Sequence, residues 1–144
     1  MEAFTKNKIF ENPNFNVLLN RFYKILEYEF TSEYLANHLV IGGSVAESRQ
    51  LEDGRTDFKD IDFITNSLEL YKFLPKLDRV LPNIDRIEVQ STVRTMLYTE
   101  FGKTVEIWFK PDKFFETICI EGIDYEQLES INNERAKFFP TKLS

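Results

Sequence analysis

The chain is predicted to be an α+β domain in which a mixed β-sheet packs against helices. One segment repeats apolar residues at helical spacing, and two short apolar runs are typical of buried strands. Three later segments predict further strands, the last two joined by a tight turn at Gly102-Lys103. The order α, β, α, β, α, β, β, β implies an α+β or mixed-sheet domain. The helical segment is 15–30, the buried strands are 39–41 and 60–65, and the later strands are 86–90, 95–100 and 104–109.

Length and composition restrict the class of protein. The 144 residues predict one domain over 1–144, with residues 1–13 as a loosely ordered lead-in. Apolar residues make up 42% of the chain and include 14 Phe, so an aromatic-rich core is expected. The single cysteine, Cys119, lies in an apolar run and is predicted to be a core residue; it cannot form an intrachain disulfide, which fits a reducing compartment. No apolar run reaches about 18 residues and no signal pattern begins the chain, so we expect a cytoplasmic protein without a membrane span.

The charge balance argues against non-specific nucleic-acid binding. Lys and Arg number 18 against 24 Asp and Glu, for a net charge of -6. Neutralisation of phosphates dominates such binding, so an acidic protein binds nucleic acid poorly. A nucleic-acid partner would need a local basic patch or a bridging metal ion.

A glycine turn follows the first apolar run. Ile41 ends that run, and Gly42-Gly43-Ser44 leads into a helical segment. Glycines at a strand-to-helix turn can bring backbone N–H groups close to a phosphate, although this pattern alone is more typical of an ordinary turn.

Two carboxylates lie in the second apolar run, and a third lies in the last predicted strand. Asp60 and Asp62 share one face of their strand, because side chains alternate along it. Glu106 stands in an otherwise apolar strand, where an unpaired carboxylate would be costly. Nearby carboxylates repel one another unless a cation lies between them. Three hard oxygen ligands suit Mg²⁺ or Mn²⁺, which take their remaining ligands from water and phosphates.

With these motifs, residues 36–110 resemble the nucleotidyltransferase superfamily, which has the polymerase-β-like fold. The family pattern is an apolar strand ending in Gly-Gly or Gly-Ser, then Asp-x-Asp and an apolar residue, then a third carboxylate on a later strand. Gly42-Gly43-Ser44-Val45-Ala46, followed by Gly54-Arg55 and Asp60-Ile61-Asp62-Phe63, is similar to the order Gly-Gly-x-Ala, Gly-Arg and Asp-Ile-Asp-Phe of abortive-infection and toxin-type members, and more distantly of tRNA CCA-adding enzymes.

The resemblance implies roles for individual residues. Asp60, Asp62 and Glu106 would bind the metal ions, and Glu106 would help to activate the attacking hydroxyl. The substrate would be a nucleoside triphosphate. The nucleotide-binding residues implied in this way are Gly42, Gly43 and Ser44. Arg55 and Lys59 are predicted to bind the nucleotide as well, with Arg49 and Arg94 as further cations within reach of a phosphate, although any one of the four alone is more typical of a solvent-facing charge.

The chain also departs from its relatives. Ala46-Glu47 stand where CCA-adding enzymes carry Arg-Asp, which weighs against tRNA end maturation. Residues 130–137 are only faintly similar to a downstream basic helix of toxin-type members, and larger relatives continue with a helical domain. We therefore expect activity to need a partner protein or a second copy of the chain.

Three functions remain open from the sequence. The first is Mg²⁺-dependent transfer of a nucleoside monophosphate to a hydroxyl on RNA, protein or a small molecule. The second is a non-catalytic protein of the same fold, such as an assembly component of a phage or toxin-antitoxin system. The third is a nucleotide sensor that binds without reacting. Trp108 would stack on a base or pack in the core, and His38 is expected to be structural.

Overall fold

The computed structural model describes residues 2–113 and 115–138. In these ranges a single sheet of seven strands is combined with six α-helices and one 3₁₀ helix. The helices are α1 (Ala3–Lys6), α2 (Pro13–Phe30), α3 (Ser32–His38), α4 (Gly43–Leu51), α5 (Leu68–Phe73) and α6 (Leu128–Phe138), with the 3₁₀ helix at Leu74–Arg79. The strands are β1 (Leu39–Gly42), β2 (Asp60–Thr65), β3 (Ile84–Val89), β4 (Arg94–Thr99), β5 (Thr104–Phe109), β6 (Thr117–Ile120) and β7 (Ile123–Glu126).

The sheet is mixed, with the strand order β3-β4-β5-β2-β1-β7-β6. The central strand β2 pairs antiparallel with β1 on one side and parallel with β5 on the other. Outside these three strands, β4 and β3 extend one edge by antiparallel pairing, while β7 joins β1 in parallel and β6 closes the other edge. This architecture confirms the predicted α+β fold class, a mixed sheet packed against helices.

One face of the central strands is apolar and forms the core. The side chains of Ile61 and Phe63 on β2 are fully buried, as is that of Ile107 on β5. Helix α2 packs on this face, with the ring of Phe22 5.0 Å from that of Phe63. Because strand side chains alternate, the polar residues of the same strands are placed on the opposite face.

Helices α2 and α3 begin at residues whose side chains cap them. The side chain of Asn12 accepts hydrogen bonds from the N–H groups of Asn14 and Phe15, and Pro13 occupies the first turn of α2. Thr31 caps α3 by accepting from the N–H of Tyr34 at 3.2 Å. None of the helices described between residues 2 and 138 is both long and apolar enough to cross a membrane.

Residues 1–13 were predicted to be loosely ordered. In the structure, the described residues 2–13 instead pack against the core. Phe4, Ile9 and Phe10 are each at most 2% exposed. The buried side chain of Asn16 holds this segment in place, because it accepts from the N–H of Phe10 at 2.9 Å and donates to its carbonyl at 2.8 Å. Polar residues separate these apolar residues in the sequence, so no helical or strand periodicity predicts their burial. Their burial depends on tertiary packing.

The end of the domain also differs from the sequence prediction. Residues 117–126 form the hairpin of β6 and β7, in which Tyr125 is a buried strand residue, and helix α6 begins at Leu128. Cys119 was predicted to lie in the core but is exposed on the edge strand β6. A short apolar run at a sheet edge does not reveal which of its residues face solvent.

Pro75 divides the helical segment after β2. The α-helix α5 ends at Phe73, and the chain continues as a 3₁₀ helix from Leu74. Proline lacks the N–H that an α-helix would need at this point and also clashes with the preceding turn.

Candidate active site

The turn between β1 and α4 requires glycine at Gly43. Its φ of +63° lies in the left-handed region, which disfavours residues with a side chain. A Cβ atom built on Gly43 would lie 2.3 Å from Oδ2 of Asp62, closer than a non-bonded contact allows. The absence of a side chain therefore lets the Asp62 carboxylate lie directly against the backbone of the turn.

The N-terminus of α4 is open to an anion. Gly42 occupies the N-cap position, and no side chain in the described chain forms a capping hydrogen bond there. The first N–H groups of a helix have no partner within the helix and carry a partial positive charge. Ser44 lies exposed in this first turn and adds a hydroxyl. The predicted phosphate cradle of Gly42, Gly43 and Ser44 thus has a chemistry suited to phosphate oxygens.

The three predicted carboxylates lie on the same face of neighbouring strands. Asp62 is paired with Gly42 of β1 on one side and with Glu106 of β5 on the other. Asp60 lies two residues earlier on β2, opposite Thr104, and shares this face by alternation. The structure therefore brings Asp60, Asp62 and Glu106 together beside the glycine turn.

The pKa of the Asp62 carboxyl is strongly raised by its surroundings. Burial raises the pKa of its carboxyl to about 7, and the charge of Glu106, a hydrogen bond with Glu106 and the charge of Asp60 act in the same direction. A hydrogen bond from Trp108 opposes the rise in pKa. A carboxyl whose pKa is raised by its acidic neighbours lies in an excess of negative charge that a cation would relieve.

Asp60 is more exposed and its pKa is raised for the same reasons. Burial is the main cause and the charge of Glu106 adds to it, while the positive charges of Lys59, Lys103 and Arg94 oppose the rise. Lys59 therefore acts on Asp60 from the preceding position and is itself exposed.

Glu106 has a cationic partner within the chain. Nε of Arg94 donates to Oε1 of Glu106 at 3.0 Å, and the terminal nitrogen of the same guanidinium also reaches that oxygen. The Glu106 side chain is only 12% exposed, so this ion pair is largely screened from water. The guanidinium also lies 4.8 Å from the ring centroid of Trp108, and a half-buried Trp108 thus borders the acidic group rather than filling the core.

The donor set of the site suits a divalent cation, although its present arrangement is not a coordination sphere. Among residues 2–113 and 115–138, no group of three or more His, Cys, Asp or Glu side chains is arranged to hold a metal ion as it stands. Glu106 is directed towards Arg94, which explains this result. The oxygen donors and the raised pKa of Asp62 nevertheless fit Mg²⁺ or Mn²⁺, provided that Arg94 releases Glu106.

The structure adds a fourth carboxylate that the sequence analysis missed. Glu126 on β7 lies beside Gly42, and its Oε1 would be 3.3 Å from a Cβ atom on that glycine. Its side chain is 2% exposed and forms an ion pair with Lys113. The alternation of buried Ile123 and Tyr125 predicts a strand in retrospect, but nothing in the sequence indicates that this strand pairs with β1.

Arg55 and Arg49 are placed away from the acidic group. Arg55 donates to Asp57 at 2.8 Å and lies over the ring of Phe58, in a pocket beside the C-terminal half of α4. Arg49 forms an ion pair with Glu121 at 3.3 Å. The structure thus brings Lys59 and Arg94 to the carboxylates but not these two arginines.

Divalent cations are expected to stabilise the protein more at pH 8 than at pH 5.5. With the pKa of Asp62 at about 7, protons occupy this carboxyl at the lower pH and compete with the metal ion. Thermal unfolding with and without MnCl₂ at the two pH values checks this expectation. Asp78→Asn, at an exposed position on the 3₁₀ helix, serves as the control and should respond as the natural chain does. An equal shift at both pH values would contradict the assignment of Asp62 as a ligand.

Comparisons with known proteins give limited information. No family model matches the chain, and no curated protein is similar to it in sequence. Among solved structures, a candidate nucleotidyltransferase from H. pylori matches with a TM-score of 0.49 and 20% sequence identity. The match covers 70% of this chain and 51% of that protein, so the chain spans about half its length. A similarity of this size carries no inference about activity, and the proposal below rests on the residues of the site.

Proposed function

We propose that this chain is a metal-dependent nucleotidyltransferase that moves a nucleoside monophosphate from a nucleoside triphosphate to a hydroxyl acceptor. The observation that carries the proposal is the register of β1, β2 and β5, which places the glycine turn, Asp62 and Glu106 side by side. A phosphate cradle next to paired carboxylates supplies both requirements of this reaction, an anion site and a cation site.

At the phosphate end, the chain binds and orients the triphosphate. The N–H groups at the start of α4 and the hydroxyl of Ser44 donate to phosphate oxygens. Gly43 permits this approach because a side chain there would collide with Asp62. Lys59, exposed next to Asp60, adds a cation at the edge of the site.

The three carboxylates bind the cation, and one of them activates the attacking hydroxyl. Asp60 and Asp62 would bind Mg²⁺ or Mn²⁺, with Glu106 as the third ligand. When bound, the metal ion offsets the negative charge that develops on the phosphate oxygens. Glu106 accepts the proton of the acceptor hydroxyl once Arg94 has released it, and the freed guanidinium is then available to a phosphate.

Label transfer tests the proposal. The protein is incubated with each α-³²P-labelled nucleoside triphosphate, MgCl₂ or MnCl₂, and either total RNA or a cell extract. We expect a labelled acceptor and released pyrophosphate with the natural chain. With Asp60→Ala we expect at least about a 10²-fold loss of transfer, because the metal ion loses one carboxylate.

The control for this experiment separates catalysis from folding. Asp85→Ala removes an exposed carboxylate from the edge strand β3 and should leave transfer unchanged. Equal thermal stability of Asp60→Ala and the natural chain would exclude unfolding as the cause of the loss. Full transfer by Asp60→Ala would rule out the proposed site.

One observation favours a second candidate, a non-catalytic protein of the same fold. Glu106 is already paired with Arg94, so a side chain of the chain itself neutralises one of the three carboxylates. In that case neither Mn²⁺ nor a nucleoside triphosphate would change the melting temperature, and no label would be transferred. Stabilisation by both ligands without transfer would instead indicate a nucleotide sensor.

The acceptor and the biological setting are also matters of proposal. The net charge of -6 argues against a long nucleic acid held by charge alone. A hydroxyl on a folded RNA, a protein or a small molecule remains compatible with the site. The relation to toxin-antitoxin or phage systems, the cytoplasmic location, and the need for a partner or second copy stay predictions.

A further inference from the structure

A pair of lysines that follows β5 converges on one carboxylate oxygen of α6. Nζ of Lys110 lies 2.8 Å from Oε1 of Glu134, and Nζ of Lys113 lies 2.9 Å from the same atom. Lys113 also pairs with the buried Glu126. Two ammonium groups on a single anionic oxygen form the arrangement that they would make with a phosphate oxygen.

This lysine pair is connected to the glycine turn through Glu126. One carboxylate oxygen of Glu126 would lie 3.3 Å from a Cβ atom built on Gly42. The other oxygen forms the ion pair with Lys113. One carboxylate group therefore separates the Lys113 ammonium from the glycine turn. Lys110 follows the last residue of β5, and its N–H donates to the carbonyl of Thr65 at 2.9 Å.

Helix α6 is held against this site by charge. Next to Glu134, Arg135 forms an ion pair with Glu47, one turn from the start of α4. Ile131 of α6 also reaches the core cluster, and the N–H of Leu128 donates to Oε1 of Gln50 on α4 at 2.8 Å. Surface ion pairs of this kind contribute little stability and exchange readily for other ions.

We propose that Lys110 and Lys113 form a binding site for the terminal phosphates of the nucleotide, and that Glu134 occupies this site until phosphate displaces it. The inference rests on the proposed function for its ligand, a nucleoside triphosphate. Exchange of Glu134 for a phosphate keeps each lysine paired and leaves the ion pair of Lys113 with Glu126 intact. It also releases one of the charged contacts that hold α6, so nucleotide binding loosens that helix.

Charge supports this assignment in two ways. Burial alone would raise the pKa of Glu134, but its hydrogen bonds with Lys110 and Lys113 outweigh that effect and lower the pKa, so the carboxylate stays anionic like a phosphate. The pKa of Lys113 is raised despite burial because Glu126 and Glu134 hold its proton. The Lys113 ammonium therefore keeps its positive charge over the range in which nucleotides are fully ionised.

Binding of inorganic triphosphate, measured by calorimetry in the presence of MgCl₂, tests the inference. We expect Glu134→Gln to bind the probe several-fold more tightly, about tenfold if Glu134 occupies the site most of the time. We expect Lys110→Met to bind at least about fivefold more weakly, because it loses one charged contact. Lys110 is chosen because its side chain is 32% exposed, whereas removal of Lys113 would leave the buried Glu126 unpaired.

Matched controls and a second measurement define the outcomes. Glu129→Gln changes an exposed carboxylate on the same helix, and Lys72→Met changes an exposed lysine on α5; both should bind as the natural chain does. Hydrogen exchange of the α6 amides should accelerate when triphosphate is added, and should already be fast in Glu134→Gln. Unchanged or weaker binding by Glu134→Gln, unchanged binding by Lys110→Met, or slower exchange on addition of the probe would each overturn the inference.

Parallel assays of label transfer distinguish this inference from the proposed function. If the variants change triphosphate binding as expected but the natural chain transfers no label, the phosphate site stands and the transferase assignment fails. If transfer proceeds and is unaffected by Lys110→Met, the transferase assignment stands and the phosphate site fails.

Discussion

Asp62→Asn is expected to abolish nucleotidyl transfer and at the same time to make the metal-free protein more stable at pH 8. The carboxyl of Asp62 has its pKa raised to about 7 by burial and by the charges of Glu106 and Asp60. One pKa unit corresponds to about 1.4 kcal/mol, so its ionisation costs on the order of 2 to 4 kcal/mol at pH 8. An amide removes that cost and can donate to Glu106, whereas the metal ion loses a ligand and transfer falls about 10³-fold.

The sign of the pH dependence follows from the direction of the shift. Because the folded state binds the Asp62 proton more tightly than the unfolded chain, this contribution to stability is present below about pH 4 and is lost as the pH rises through about 7. Asparagine has no such proton. The difference in melting temperature between Asp62→Asn and the natural chain should therefore grow from pH 4 to pH 8, to about 5 °C or more.

The measurement is thermal unfolding in EDTA across this pH range, followed by the same series with MnCl₂. Manganese should stabilise the natural chain at pH 8 and leave Asp62→Asn unchanged. Asp124→Asn, on the outer part of the sheet, provides the control and should show no such pH-dependent gain. A variant that loses stability at pH 8 without metal would show that Asp62 supports the fold rather than the reaction.

Gly43→Ala is expected to eliminate transfer at a modest cost in stability. The added Cβ would lie 2.3 Å from Oδ2 of Asp62 and 3.2 Å from its Cγ, so the carboxylate must rotate away from the turn. The left-handed φ of +63° adds strain of about 1 to 2 kcal/mol. The displaced carboxylate can no longer share a cation with Asp60 beside the phosphate, and we expect transfer to fall at least about 10²-fold.

Gly54→Ala is the matched control for this substitution. Gly54 has a similar φ of +70°, but a Cβ atom there would have nothing within 4 Å. The backbone strain is thus nearly the same in both variants, and only Gly43→Ala changes the site. Chemical denaturation should give similar losses of unfolding free energy, while label transfer should fail in Gly43→Ala alone. Equal activity of the two variants would remove the turn from the active site.

The local parts of the site could be predicted because each lies within one short segment. The strand 60–65 has the same bounds in the structure as in the sequence prediction, and its period of two fixes Asp60 and Asp62 on one face. The glycine turn likewise follows from the strand that precedes it and the helix that begins at Gly43. Steric and periodic effects of this kind act over a few residues and are therefore visible in the sequence.

The remaining parts depend on pairing between distant segments, which periodicity does not encode. The contact of Glu126 with Gly42 requires the parallel pairing of β1 with β7, more than 80 residues later in the chain. The ion pair of Arg94 with Glu106 depends on the register of β4 and β5 and on the rotamers of both side chains. The role of Lys113 could not be predicted from the sequence, because it depends on ion pairs with Glu126 on β7 and Glu134 on α6.

The position of β2 between β1 and β5 has a consequence for how firmly the reacting groups are held. Backbone hydrogen bonds on both sides of one central strand connect the glycine turn, Asp62 and Glu106 without an intervening loop. Thermal motion of the helices should therefore leave the spacing of these groups nearly constant. Little reorganisation of the strands would then be needed when substrate arrives, and the expected movements are those of the Arg94 and Glu134 side chains and of helix α6.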